Sequence, residues 1–262
     1  MMRLAALQMQ AVNGDVAANL ARIEQAAIQA AAAGATLLVA PELALTGYGA
    51  GDQMHGMAEP VDGPLLKRLA AISAATRVAI IAGFAEQTGD AVYNSAAYVD
   101  GSAAPVIYRK SHLYGPYENG LFLPGEPSAV VFDHRGTSCG MLICYDVEFP
   151  ENVRRLAQAG VDAVLVPTAL PRGSSGSFIA GHMIRTRAFE NQVFVAYVDH
   201  CGADGVFSYA GLSVVAAPDG SVLASANDTD EALLVVDVDP EAFAASRREN
   251  TYLRDLRTPN RS

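Results

Sequence analysis

The apolar residues of this chain fall in short runs of strand length, and one of those runs stops on a thiol. In Gly140-Met141-Leu142-Ile143-Cys144-Tyr145-Asp146 the apolar stretch ends at Cys144 and the chain turns polar. A short apolar run of this kind reads as an interior strand. A cysteine at its carboxyl end would sit at a sheet edge, where α/β folds place their chemistry. Two further runs end in the same way, Leu38-Val39-Ala40 at Pro41-Glu42 and Val106-Ile107-Tyr108 at Arg109-Lys110.

The elements between these runs set the layering. An alanine-rich helix is expected over 17–33, with Asn13-Gly14-Asp15 as turn and cap and Gly34 as its stop. Helices are also expected over Pro64–Thr76, 150–159 (proline in the first turn) and 178–191. Strands are expected over 36–40, 78–83, 93–99, 106–108, 130–132, 139–143, 163–166, 193–198, 212–216, 222–226 and 233–238. Helices alternate with strands early, while hairpin-like pairs recur. That mixture points to layered sheets covered by helices rather than to a purely parallel doubly wound sheet.

Composition excludes several functions. With 51% hydrophobic residues the chain can bury a large core, and no linker or low-complexity tract divides it, so 1–262 is expected to be a single domain. A net charge of -10 argues against a nucleic-acid partner, which needs clustered Lys and Arg. No apolar stretch approaches the roughly 18 residues of a membrane span. The N-terminal Met1-Met2-Arg3-Leu4-Ala5-Ala6-Leu7 is too short for a signal-peptide core and reads as a first strand. The three cysteines, Cys139, Cys144 and Cys201, lack paired spacing. Neither a disulfide framework nor a metal site is indicated, no cofactor is expected, and a reduced, cytoplasmic protein is the simplest reading.

Each strand-end residue has a chemical and a structural reading. Cys144 could be a nucleophile, given a base or a positive environment to activate it, or an inert buried cysteine. None of the five histidines, His55, His112, His134, His182 and His200, sits in a cysteine-protease setting. The base must then be sought elsewhere. Glu42, fixed behind an apolar strand and a proline, could serve if partial burial raised its pKa; alone it would be a solvated loop carboxylate. Lys110 could stabilise an oxyanion and favour a thiolate, or simply close a surface strand.

Taken in order, Leu38-Val39-Ala40-Pro41-Glu42, Tyr108-Arg109-Lys110-Ser111-His112-Leu113 and Leu142-Ile143-Cys144-Tyr145-Asp146 resemble the three signature blocks of the nitrilase superfamily of carbon–nitrogen hydrolases. The resemblance spans essentially the whole chain. It implies a four-layer α-β-β-α sandwich that assembles as a homodimer or larger. It further implies Glu42 as general base, Lys110 as transition-state stabiliser and Cys144 as nucleophile. Glu118, in Tyr117-Glu118-Asn119-Gly120-Leu121-Phe122-Leu123-Pro124-Gly125, matches the family's second glutamate and would hold Lys110 and the substrate; on its own it would be an unremarkable loop glutamate.

Cys144-Tyr145-Asp146-Val147-Glu148-Phe149-Pro150-Glu151 resembles the aliphatic amidase branch, which includes 5-aminopentanamidase and R-stereoselective amidases. That branch implies hydrolysis of a small aliphatic or amino-substituted primary amide through a thioester. N-carbamoyl-amine hydrolysis and nitrile hydrolysis would use the same residues, and a catalytically silent scaffold on the same fold is the reading from outside enzymology. Tyr145 is expected to offer its backbone N–H to the oxyanion. Thr168 and Ala169, just past a strand end, are expected in the pocket wall. Glu148 either faces the pocket or caps the helix near Pro150. Arg185, Arg187 and Glu190 stand at helical spacing and are expected to form structural ion pairs. The loops 48–59 and 170–177, rich in Gly and Ser, are expected to be mobile.

Overall fold

The computed structural model describes residues 1–257, so the last five residues of the expected domain lie outside the described residues. The strands run in chain order as β1 (Met2–Gln8), β2 (Leu37–Val39), β3 (Ala79–Thr88), β4 (Ala91–Val99), β5 (Val106–Arg109), β6 (Val131–His134), β7 (Thr137–Met141), β8 (Ala163–Pro167), β9 (Phe194–Val198), β10 (Val214–Ala216), β11 (Val222–Ser225) and β12 (Ala232–Val238). They form two six-stranded sheets with orders β12-β1-β2-β3-β4-β5 and β11-β10-β9-β8-β7-β6. Both sheets share one plan. Three parallel strands, β1-β2-β3 or β7-β8-β9, are flanked by one antiparallel strand on one side and two on the other.

The helices that cover the sheets are α1 (Val16–Ala32), α2 (Gln53–Met57), α3 (Pro64–Thr76), α4 (Gly115–Leu121), α5 (Pro150–Gln158), α6 (Ser174–Phe178) and α7 (Ile184–Asn191). Asp15 caps α1 by accepting the Ala18 N–H at 2.9 Å, which satisfies one of the orphan donors at a helix start. The apolar face of α1 (Leu20, Ile23, Ala27) joins Leu65, Leu66 and Leu69 of α3 against the outer face of the first sheet. Val153 and Leu156 of α5, with Ile184 and Ala188 of α7, cover the second sheet.

Between the sheets, Leu4, Leu37, Val39 and Ile81 meet Met141, Leu165 and Ala196 in one continuous core. Each fully buried side chain of this kind contributes about 1.5–3 kcal/mol. The central strands β2, β8 and β9 are buried throughout, as strands covered on both faces must be. The expected α-β-β-α sandwich is the fold.

Several local expectations change. The strand before Cys144 stops at Met141, because Leu142 and Ile143 already belong to the turn out of the sheet. The helix expected over 178–191 begins earlier, at Ser174, and passes through a π-helical turn over Ile179–Met183. The loop expected around Glu118 is α4. The segment 48–59 is not a free loop: it contains a 3-10 turn at Tyr48–Ala50 and α2, and Tyr48 is buried.

Candidate active site

The residues singled out at strand ends converge beyond the carboxyl ends of β2, β7 and β8. Glu42 lies three residues past β2. Its backbone is fixed from two directions, by its N–H to the Thr168 carbonyl at 3.3 Å and by His200 Nε2 on its own carbonyl at 2.7 Å. Burial keeps the His200 pKa below its usual value, so a neutral ring donates here. Leu43, directly after the glutamate, has φ 48°, and Cys144 has φ 44°. A non-glycine residue in the left-handed region is strained, and such strain collects at functional sites. Here it turns the chain sharply at both places.

Lys110 follows β5 and is enclosed, with its side chain fully buried. Its Nζ donates to Glu42 Oε1 and to Glu118 Oε1, each at 2.7 Å. An ammonium has three donors, so one remains. Burial alone would lower the Lys110 pKa, but the two carboxylates outweigh it and hold the group well above its ordinary value.

The two glutamates differ in what is left to them. Glu118 has a donor on each oxygen: Oε1 also accepts the Tyr48 hydroxyl at 2.8 Å, and Oε2 accepts the Tyr114 N–H at 2.9 Å. Glu42 Oε1 accepts Asn94 Nδ2 at 2.6 Å besides Lys110, whereas its Oε2 is buried with no partner among the described residues. Burial raises the Glu42 pKa to about 7, against the opposing pull of Lys110 and with help from the Glu118 charge. A buried carboxylate with one open oxygen and a pKa near neutrality can both take and return a proton.

Cys144 opens a 3-10 segment, Cys144–Glu148. The turn is tied to the end of β5 through Asp146. Its carboxylate accepts the Tyr108 hydroxyl at 2.9 Å, the Ser111 hydroxyl at 2.8 Å, the His112 N–H at 2.9 Å and the Ile143 N–H at 3.3 Å. Burial, then the Glu42 charge, lift the Cys144 thiol well above its usual pKa, and the opposing Lys110 charge does not reverse this. Lys110 pulls toward the thiolate, as expected, but burial and the Glu42 charge outweigh it, so the resting residue is a thiol. Tyr145 stands at the second position of the segment, where a backbone N–H has no acceptor within its own helix.

A cavity of about 370 Å³ opens over Cys144 and is walled by Tyr114, Tyr145, Glu148 and the segment 170–176. Glu148 does not cap α5, whose start has no side-chain cap; its backbone carbonyl is held by Arg187 Nη2 at 2.6 Å and the residue lines the cavity. Burial raises the Glu148 pKa, with Lys110 and Arg187 opposing. Arg187 also pairs with Glu190 at 3.1 Å, as the helical spacing implied, while Arg185 donates to the Gly220 carbonyl instead.

Ala169 directs its backbone N–H at Cys144 and walls a smaller neighbouring cavity. Thr168 is sealed below, its hydroxyl on the Val166 carbonyl, and walls neither cavity. Sequence reasoning passed over Tyr48, Asn94, Asp146 and His200. Among the described residues no cluster of His, Cys, Asp and Glu could hold a metal ion.

Comparison with known proteins identifies the family. The family model described as carbon-nitrogen hydrolase matches residues 3–248. The chain is 43% identical to a Pseudomonas protegens protein named "Hydrolase in pqqF 5'region", over 98% of this chain and 89% of that protein. It is 38% identical to the (R)-stereoselective amidase of a Pseudomonas species, over 98% and 92%. Among solved structures, the NitN amidase of Nesterenkonia sp. AN1 superposes with TM-score 0.87 at 34% identity, covering 98% of this chain and 97% of that one. A glutamate-to-glutamine mutant of that amidase carries acrylamide on its active-site cysteine.

Proposed function

The chain belongs to the carbon–nitrogen hydrolase family, and from that premise we propose that it hydrolyses small primary carboxamides through a thioester on Cys144. It is a hydrolase of C–N bonds with an amidase mechanism; the residue roles and the substrate are our reading. The observation that carries the reading is the open Oε2 of Glu42, in a carboxylate already fixed at Oε1 by Lys110 and Asn94.

Glu42 takes the thiol proton as Cys144 attacks the carboxamide carbon. The oxyanion that develops meets the remaining Lys110 donor and the Tyr145 N–H. Protonated Glu42 returns its proton to the departing nitrogen, and ammonia leaves. Glu42 then activates a water molecule that hydrolyses the thioester and frees the carboxylic acid. Glu118, bonded to Lys110 at 2.7 Å and with a donor on each oxygen, holds Lys110 in place. Glu148 is assigned to the substrate side of the cavity, facing an amide nitrogen or an amino substituent.

The same proposal carries a single domain, a homodimer or larger homo-oligomer, and a cytoplasmic setting. Its support is the family match over 3–248 and three cysteines that are all free. No helix among the described residues is long and apolar enough to cross a membrane. Ammonia release from acetamide or butyramide tests the assignment. Cys144→Ala is expected to abolish release while the protein stays folded, and turnover retained by that variant refutes it.

A further inference from the structure

The smaller cavity beside the reaction chamber has a composition of its own. It measures about 190 Å³ and is lined by Tyr48, Tyr117, Phe207 and Tyr209, with Ala169 on the side of Cys144. Apart from Tyr114, its tyrosines have their hydroxyls engaged elsewhere. The Tyr48 hydroxyl is spent on Glu118 at 2.8 Å, that of Tyr117 on the Tyr48 carbonyl at 2.6 Å, and that of Tyr209 on Asp204. Ring surfaces are what remain.

Those rings are already locked together. Tyr48 lies 5.5 Å from Tyr117 and 5.3 Å from Phe207 between centroids, and Tyr117 lies 4.8 Å from Phe207 in an edge-on arrangement. Aromatic pairs at these separations are favourable, so the slot is preformed rather than collapsed. A cavity of about 150 Å³ lined by apolar side chains binds benzene, so this slot is large enough for a phenyl or branched alkyl group. It shares Tyr114 and Pro171 with the chamber over Cys144.

We infer that this slot is the acyl side-chain subsite and that the preferred substrates are primary amides carrying an aryl or branched alkyl group close to the carbonyl. The inference rests on the amide-hydrolase reading above. It also gives Tyr48 two contacts at once: the ring meets the side chain of the substrate and the hydroxyl holds Glu118, which holds Lys110. Binding energy gained in the slot is thereby delivered where the oxyanion forms, and would raise kcat as well as lower KM.

Ammonia release from acetamide, butyramide, phenylacetamide and 3-phenylpropanamide tests this. The wild-type protein is expected to favour a phenyl amide over acetamide in kcat/KM by about tenfold or more, the yield of burying one such group. Ala169→Leu, which fills the slot from the Cys144 side, should bring that ratio to about one. Phe207→Ala, which enlarges it, should move the preference toward naphthylacetamide. A wild-type ratio at or below one overturns the subsite, and so does a ratio that survives in both variants. Should Ala169→Leu fail to fold, the wild-type ratio and Phe207→Ala still decide. Hydrolysis of acetamide without any aryl preference defeats the subsite alone, whereas no hydrolysis of any of these amides defeats the enzymatic reading with it.

Discussion

Lys110 Nζ stands 2.7 Å from Glu42 Oε1, and neither side chain is exposed to solvent. The pair is closed by Glu118 at the same distance on the other side. A cation between two carboxylates compensates their repulsion, and removing it leaves buried charges unpaired. Lys110→Met is therefore expected to cost about 3–5 kcal/mol of stability as well as activity. Chemical denaturation checks the first and ammonia release the second. Adding Glu42→Gln should recover part of the stability and none of the activity. A double variant no more stable than Lys110→Met would show that the two side chains are not coupled.

The Glu42 carboxyl titrates at about 7 instead of 4.5, chiefly through burial. Two consequences of opposite sign follow. The base must be a carboxylate, so kcat/KM is expected to rise with pH through about 7. The folded state, however, favours the protonated form. Its contribution to stability is fully present below pH 4.5 and is lost as pH rises through about 7. Glu42→Gln should abolish turnover and flatten the stability profile in that window. Thermal melts and initial rates across the window test this, and a stability profile unchanged in the variant would contradict the assignment.

Gly83 on β3 packs against the backbone that presents the base. A Cβ there would fall 2.1 Å from Leu43 N and 2.7 Å from the Glu42 carbonyl carbon. Backbone cannot yield as a flexible side chain can, so Gly83→Ala must displace Glu42. Overpacking of this kind costs about 1–3 kcal/mol, while a shift of the base by an ångström costs about 100-fold in rate. The expected result is a folded protein with a disproportionate loss of kcat. Gly56→Ala, where an added Cβ meets nothing within 4 Å, is the control.

How far the sequence could be read depends on the range of each interaction. Glu42, Lys110 and Cys144 were legible because each stands where an apolar run of strand length ends, and such run ends are local signals. The turn that holds Cys144 was less so: Leu142 and Ile143 are fully buried like the strand before them, and burial hides the point where the ladder stops. Helix α4 was missed because Gly115-Pro116-Tyr117-Glu118-Asn119-Gly120-Leu121 is short and carries helix-breaking residues, so tertiary contacts of Glu118 decide its conformation. The partners of Glu42 and Glu118 were out of reach altogether. Asn94 is 52 residues from Glu42, Tyr48 is 70 from Glu118 and His200 is 158 from Glu42. Only the sheet order brings them together.

The three cysteines separate access from acidity. Burial pushes the Cys139 thiol up to about 12 and the Cys201 thiol to about 11, and Cys144 is also raised well above its ordinary value. Thiolate content therefore does not single out Cys144. What distinguishes it is a place on the wall of the 370 Å³ cavity, while Cys139 and Cys201 are 0% and 1% exposed and wall neither that cavity nor the aromatic slot. It also lies close enough to feel the Glu42 charge, so a proton acceptor is at hand as the sulfur bonds to an electrophile. Acrylamide, small and shaped like an amide, is expected to modify Cys144 and leave the other two untouched in the folded protein. Peptide mass spectrometry after timed exposure measures this, and prior denaturation should equalise the three. Comparable modification of Cys139 or Cys201 under native conditions would mean that neither the cavity nor the arrangement around Cys144 governs the reactivity of these thiols.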